Sequence, residues 1–172
     1  NFYILIFIGE EAILQSKIIF ALEKHMSASS EPFSGSSFGI SVLRVHFGII
    51  LFAHGWLKLS VFTIPGTVGY FASLGLPSFA AYLTIFGELA AGLALIAGIQ
   101  TRLASALCVP ILTGATIVHL NNGWLFSAEG GGWEFPASLT VIAIALVLMG
   151  SGNRLSINLN PLNGYLPQPL KN

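Results

Sequence analysis

The chain has 172 residues, of which 54% are hydrophobic and only 8% charged, and its formal net charge is zero. A soluble domain carries about a quarter charged residues, so these few exclude a water-covered globule, and the neutral balance offers no basic field for nucleic acid. One cysteine, Cys108, excludes an intramolecular disulfide and a cysteine-built metal cage, and the lack of aspartate argues against calcium-type loops.

Apolar runs near 20 residues recur with glycine and proline between them, the pattern of an integral membrane protein. The first run, Phe2 to Ile8, is too short to span and is broken by Glu10 and Glu11. It has neither the basic start nor the small-residue cleavage site of a signal peptide. Met26 opens a polar, serine-rich segment, MSASSEPFSGSS. Two readings are open: residues 1–25 are translated upstream sequence before a start at Met26, or Ala12 to Lys24 forms an amphipathic interfacial helix. Residues 1–36 are therefore set apart as an N-terminal extension, 37–156 as the membrane domain, and 157–172 as a polar tail.

The first span is Gly39–Leu59, GISVLRVHFGIILFAHGWLKL, which carries Arg44, His46, His54 and Lys58. Lipid tolerates such groups only when they are paired, turned towards other helices or placed at an interface. Pro65-Gly66 then reads as a turn, and Thr67 as the N-cap of a short helix to Leu74 whose Tyr70 and Phe71 suit the membrane surface. A second span runs from Phe79 to Gly98. The tight connection Gln100-Thr101-Arg102 makes the third, Leu103 to Leu120, pack antiparallel beside it, with a kink expected at Pro110. After the glycine-rich loop NNGWLFSAEGGGWEF, a fourth span covers Phe135 to Gly150. At about 1.5 Å per residue it reaches roughly 24 Å, less than a bilayer core, unless it starts near Trp133. The fold class expected is all-α: an integral membrane four-helix bundle with a short interfacial helix between the first two spans. Arg102, Arg154 and Lys171 fall on one side, whereas the opposite loops carry Glu129 and Glu134, so both termini are expected in the cytoplasm.

Depth and angle bring polar residues together. Arg44, Gly48, Leu51, Gly55 and Lys58 form one stripe with His54 at its edge, while His46 points nearly opposite. Ala81, Thr84, Glu88, Ala91 and Gly92 line a small-residue face of the second span. Cys108, Leu112, Thr116 and His119 follow one side of the third. The expectation is a polar pocket open to the outer face, with Glu88 at its floor and Arg44 as its buried partner.

LRVHFGIILFAHGWLKL, GTVGYFASLGLP, GELAAGLALIAGIQTRLAS and GGGWEFP, in that order, closely resemble the DoxX family of bacterial four-helix membrane proteins, over roughly Ser37 to Ser156. The resemblance implies a bacterial cell (inner) membrane protein associated with redox chemistry. Its relatives include a subunit linked to quinol oxidase and to thiosulfate–quinone oxidoreduction, and proteins induced by catechols or hydroquinones.

Set beside that resemblance, each residue has a plain and a chemical reading. Glu88 is either a buried ion-pair member or a proton relay and quinone partner. His54 and His119 are satisfied interface histidines, donors to a quinone, or, as the least favoured reading, axial ligands of a b-type haem. Lys58 snorkels or lines the pocket mouth. Trp133 is a belt residue or a wall for an aromatic ligand, Glu134 a helix cap or a mouth residue, Cys108 core, and Arg102 a topology-setting charge. The reading is a membrane oxidoreductase component that handles a quinone or similar aromatic carrier. Glu88, Arg44 and His54 carry protons and hydrogen bonds, and Lys58, His119, Trp133 and Glu134 bind the carrier. With no nucleotide-binding motif, electrons need a redox partner protein or cofactor. The alternatives are a non-catalytic accessory subunit of a larger respiratory complex and a carrier of a small solute or proton. The partners expected are the lipid bilayer and a redox partner protein or further copies of the chain in a homo-oligomer.

Overall fold

A computed structural model describes residues 35–152 and 162–171, together with Lys17. The two readings of residues 1–25 lie outside this range apart from that residue. The chain divides into two units at Gly35, and the second, Ser36–Asn172, holds nearly all that is described. Its α-helices are α1 (Gly35–Ser60), α2 (Ile64–Ser73), α3 (Ser78–Ala97), α4 (Thr101–His119) and α5 (Glu134–Met149), with single 3-10 turns at Leu120–Asn122 and Gln168–Leu170. Among the described residues there is no strand.

Among the described residues, three helical stretches are long and apolar enough to cross a membrane: Gly35–Ser60, Ser78–Ala97 and Thr101–Asn122. The fourth apolar helix, α5, keeps within a residue of its expected limits and starts at Glu134. Apolar side chains cover the outside, with Leu83 64%, Leu107 60%, Val141 65% and Leu148 71% exposed. In water such a surface would aggregate; against lipid it is the ordinary condition.

The start of α2 corrects one expectation. Thr63, not Thr67, caps it, its hydroxyl accepting from the Gly66 N–H at 3.4 Å. Pro65 sits in the first turn, where its missing N–H leaves no bond unmade, so Pro65-Gly66 begins the helix instead of turning before it. Thr67 is buried, and its hydroxyl donates to the Lys58 carbonyl at 3.1 Å. Gly98, at φ 74°, ends α3 in the left-handed conformation that only glycine takes without strain. α4 continues through Pro110 as one helix.

One core draws on four helices: Phe47 and Leu51 from α1, Ala91 and Leu95 from α3, Ala104, Cys108 and Leu112 from α4, and Leu139, Ala143 and Leu146 from α5. Within it α1 and α3 approach to backbone contact. A Cβ placed on Gly92 would lie 2.7 Å from the Phe52 nitrogen, and one on Gly48 would lie 2.8 Å from the Gly92 oxygen. One on Gly55 would meet the Leu89 nitrogen at 3.0 Å. Contacts that descend α3 as they climb α1 show that the two helices are antiparallel. This register places the polar residues.

Candidate functional site

Glu88 is buried in the middle of α3, and Lys58 stands near the end of α1. Side chains on a helix lean towards its N-terminus. In an antiparallel pair, Lys58 therefore leans down α1 while Glu88 leans up α3, and the two converge. The Lys58 ammonium donates to both carboxylate oxygens, at 3.0 Å to Oε1 and 2.8 Å to Oε2. The pair is not sealed: the Lys58 side chain keeps 20% of its surface open, against 7% for Glu88.

This corrects the expected partner of Glu88. Arg44 lies fourteen residues before Lys58, about 21 Å along the same helix at 1.5 Å per residue, out of reach of that carboxylate. It is fully buried, as its stripe predicts. Its guanidinium donates to the Leu95 carbonyl, to the Ile96 carbonyl at 3.2 Å and, through Nε, to the Ser151 carbonyl at 3.1 Å. The last carbonyls of a helix have no partner within it and carry the negative end of its dipole. A buried guanidinium there supplies both donors and charge. Arg102 repeats the arrangement on α5, donating to the Val147 carbonyl at 2.8 Å and also to Pro169 O at 3.4 Å. What reads in the sequence as a topology charge also secures a helix end.

Around Glu88 the neighbours differ in kind. His54 is exposed and rests its ring against Phe135, with centroids 5.9 Å apart, one helical turn before Lys58. Cys108 is buried in the core, in the same cluster as Ala91 of α3. His119 is half-buried, its Nδ1 2.7 Å from the Ala115 carbonyl. A carbonyl only accepts, so Nδ1 carries a hydrogen and Nε2 is left as the second ring nitrogen. His46 is exposed on the opposite side of α1.

Trp133 and Glu134 build the loop between α4 and α5. Trp133 meets Trp124 edge to face, at 4.4 Å between centroids. The Trp133 N–H donates to Gly123 O, and the Glu134 N–H to Trp124 O. Glu134 lies in the first turn of α5, a favourable place for a negative charge. Its Oε1, however, accepts from the Phe126 N–H at 2.9 Å and caps no helix amide. Asn122 clasps the loop by donating to the Gly130 and Gly131 carbonyls. The structure thus joins Lys58 to Glu88 and gives Arg44 and Glu134 work elsewhere. A cavity of about 310 Å³ lies at the Arg44 end, lined by residues including Ser37, Ile40, Arg102, Met149 and Ser151. Among the described residues no three His, Cys, Asp or Glu side chains gather as a metal site would require. Thr101 and Ser105, fully buried on α4, are absent from the expected site; their four-residue spacing on the face of Cys108 is the signal that marks them.

The comparisons with known proteins bear on this geometry. The family model described as DoxX matches residues 39–120. A Bacillus subtilis (strain 168) protein named "Putative oxidoreductase CatD" is 39% identical over 114 residues, which are 66% of this chain and 80% of that protein. The chain belongs to the DoxX family. Together with the apolar helices this makes it a membrane protein. No solved structure matches it. The matched segment takes in Arg44, His54, Lys58, Glu88, Cys108 and His119 and stops before Trp133 and Glu134. In this DoxX protein the buried ion pair therefore belongs to the part that the family shares.

Proposed function

We propose that the protein is a membrane-embedded oxidoreductase component that handles a quinone or similar small aromatic redox carrier at the Lys58–Glu88 pair. The observation that carries the reading is a carboxylate held by an ammonium midway along an apolar helix, in a chain akin to a protein named as an oxidoreductase. Ionisable groups inside membrane segments are costly and are the usual stations of proton traffic. A carrier of this class exchanges protons along with electrons, and its two oxygens need hydrogen-bond partners. The pair fits that need: two N–H groups of Lys58 go to Glu88, and the third serves an oxygen of the carrier. Glu88 takes or returns the proton that accompanies an electron, and His54 and His119 offer ring nitrogens nearer the membrane surface. Arg44 contributes by holding the end of α3 and thereby the height of Glu88. Electrons pass to or from a redox partner protein.

In this reading α1, α3, α4 and α5 form a four-helix membrane bundle, with α2 along the outer surface and both termini on the cytoplasmic side of a bacterial inner membrane. The Arg44 end is then the inner end and the Trp124–Trp133 loop the outer one. A second reading, a non-catalytic accessory subunit, draws on His46, whose exposed imidazole on a lipid-facing helix suits contact with another chain. Glu88→Gln separates the two. Quinol-dependent electron transfer in native membranes is measured with assembly of the complex. Lost transfer with assembly intact upholds the carrier site; unchanged transfer overturns it.

A further inference from the structure

Two hydroxyls on α4 stand apart. Thr101 and Ser105 have no solvent exposure, and neither Oγ has a hydrogen-bond partner among the described residues. Elsewhere the hydroxyls of Ser41, Ser60, Thr116, Ser138 and Thr140 each donate to the carbonyl four residues back. Ser105 has the same option towards Thr101 O and does not take it. Buried polar groups are completed by protein or by water, and an interior water needs two or more such groups in reach.

Thr101, Ser105 and Cys108 are spaced by four and three residues, so they climb one face of α4, over about 10.5 Å from its first residue. At the top, Cys108 shares the buried core with Ala91, which follows Glu88 by about one turn of α3. At the foot, Arg44 occupies the Leu95 and Ile96 carbonyls of the last turn before α4. Those carbonyls and that of Ser151 offset its charge. The cavity bordered by Arg102 and Ser151 adjoins the same end.

We propose that Thr101 and Ser105 hold ordered water and, with the Cys108 thiol, form a proton route from the Arg44–Arg102 end to Glu88. Each hydroxyl and the thiol gives one proton and receives one, so none is changed. The net step moves a proton from water at that end onto the Glu88 carboxylate, while Lys58 stays an ammonium. The proposal rests on the reading that Glu88 exchanges a proton, and no carrier or electron transfer enters its test.

The whole chain is reconstituted in vesicles in one orientation. The Glu88 carboxyl band is identified in difference infrared spectra by its loss in Glu88→Gln. The pH is then stepped on one side at a time. The route requires that the band respond to a step at the Arg44–Arg102 side. Ser105→Ala and Thr101→Val should slow that response by at least about tenfold, and Ser105→Thr, which keeps a hydroxyl, should restore most of it. A band that responds only to the Lys58 side overturns the route and leaves Glu88 its proton role. A response to the Arg44–Arg102 side that is equally fast in Ser105→Ala and Thr101→Val overturns it as well.

Discussion

Lys58 and Glu88 meet at 2.8 Å although one stands near the end of its helix and the other in the middle of its own. Removing the cation alone leaves a carboxylate buried without its partner, the costly half of breaking such a pair. Lys58→Met should destabilise the protein by about 2–3 kcal/mol, towards the low end for a buried pair because the lysine is partly exposed. Replacing both, with Lys58→Met and Glu88→Leu together, should recover most of that loss. Thermal unfolding in detergent checks both.

The same experiment on Arg44 separates support from chemistry. Arg44→Met strips donors from the carbonyls of Leu95, Ile96 and Ser151 and should cost about 3 kcal/mol or more. Arg44→Lys should regain only part, because one ammonium does not reproduce the planar fork. If Arg44 acts through position alone, protein that still folds should keep the Glu88 infrared band unshifted.

The α1–α3 contact makes a sharper forecast. Gly92→Ala drives a methyl against the Phe52 backbone nitrogen and Gly48→Ala against the Gly92 oxygen. Neither backbone can yield as a side chain would, so each should cost about 1–3 kcal/mol. Gly114→Ala on α4 meets nothing within 4 Å and should be neutral or stabilising by up to about 1 kcal/mol. Equal unfolding temperatures for Gly92→Ala and Gly114→Ala would contradict the register.

Glu134→Ala should release the Phe126 N–H and loosen the segment between α4 and α5 without unfolding α5. Limited proteolysis should then cut residues 123–132 faster, while helical circular dichroism stays within a few per cent of the parent.

Much of this layout is legible in the sequence because helices bury stripes. The spacing of Arg44, Gly48, Leu51 and Gly55 already gives the inner face of α1, and that of Glu88, Ala91 and Gly92 the inner face of α3. The partner of Glu88 is not legible that way. It depends on register, which three glycines set through backbone contact, and on a lysine long enough to reach back along its own helix. Arg44 and Lys58 share one stripe, and a count of depth sets Lys58 at the helix end, away from a mid-helix carboxylate, which leaves Arg44 as the expected partner. The first turn of α2 is misread because Thr63 and Thr67 both suit an N-cap, and only the backbone at Thr63 distinguishes them. The Glu134–Phe126 and Asn122–Gly130 bonds have no periodicity and leave no mark in the pattern.

Glycine at positions 48, 55 and 92 also limits how the protein can move. Where main chains touch there is no side-chain layer to slide, so α1 and α3 travel as one rigid leaf. Lys58 and Glu88 sit on that leaf together, and their separation survives any motion that parts it from its neighbours. If a carrier does bind beside the pair, as proposed above, the room for it comes from displacement of α4, α5 and the segment joining them relative to that leaf.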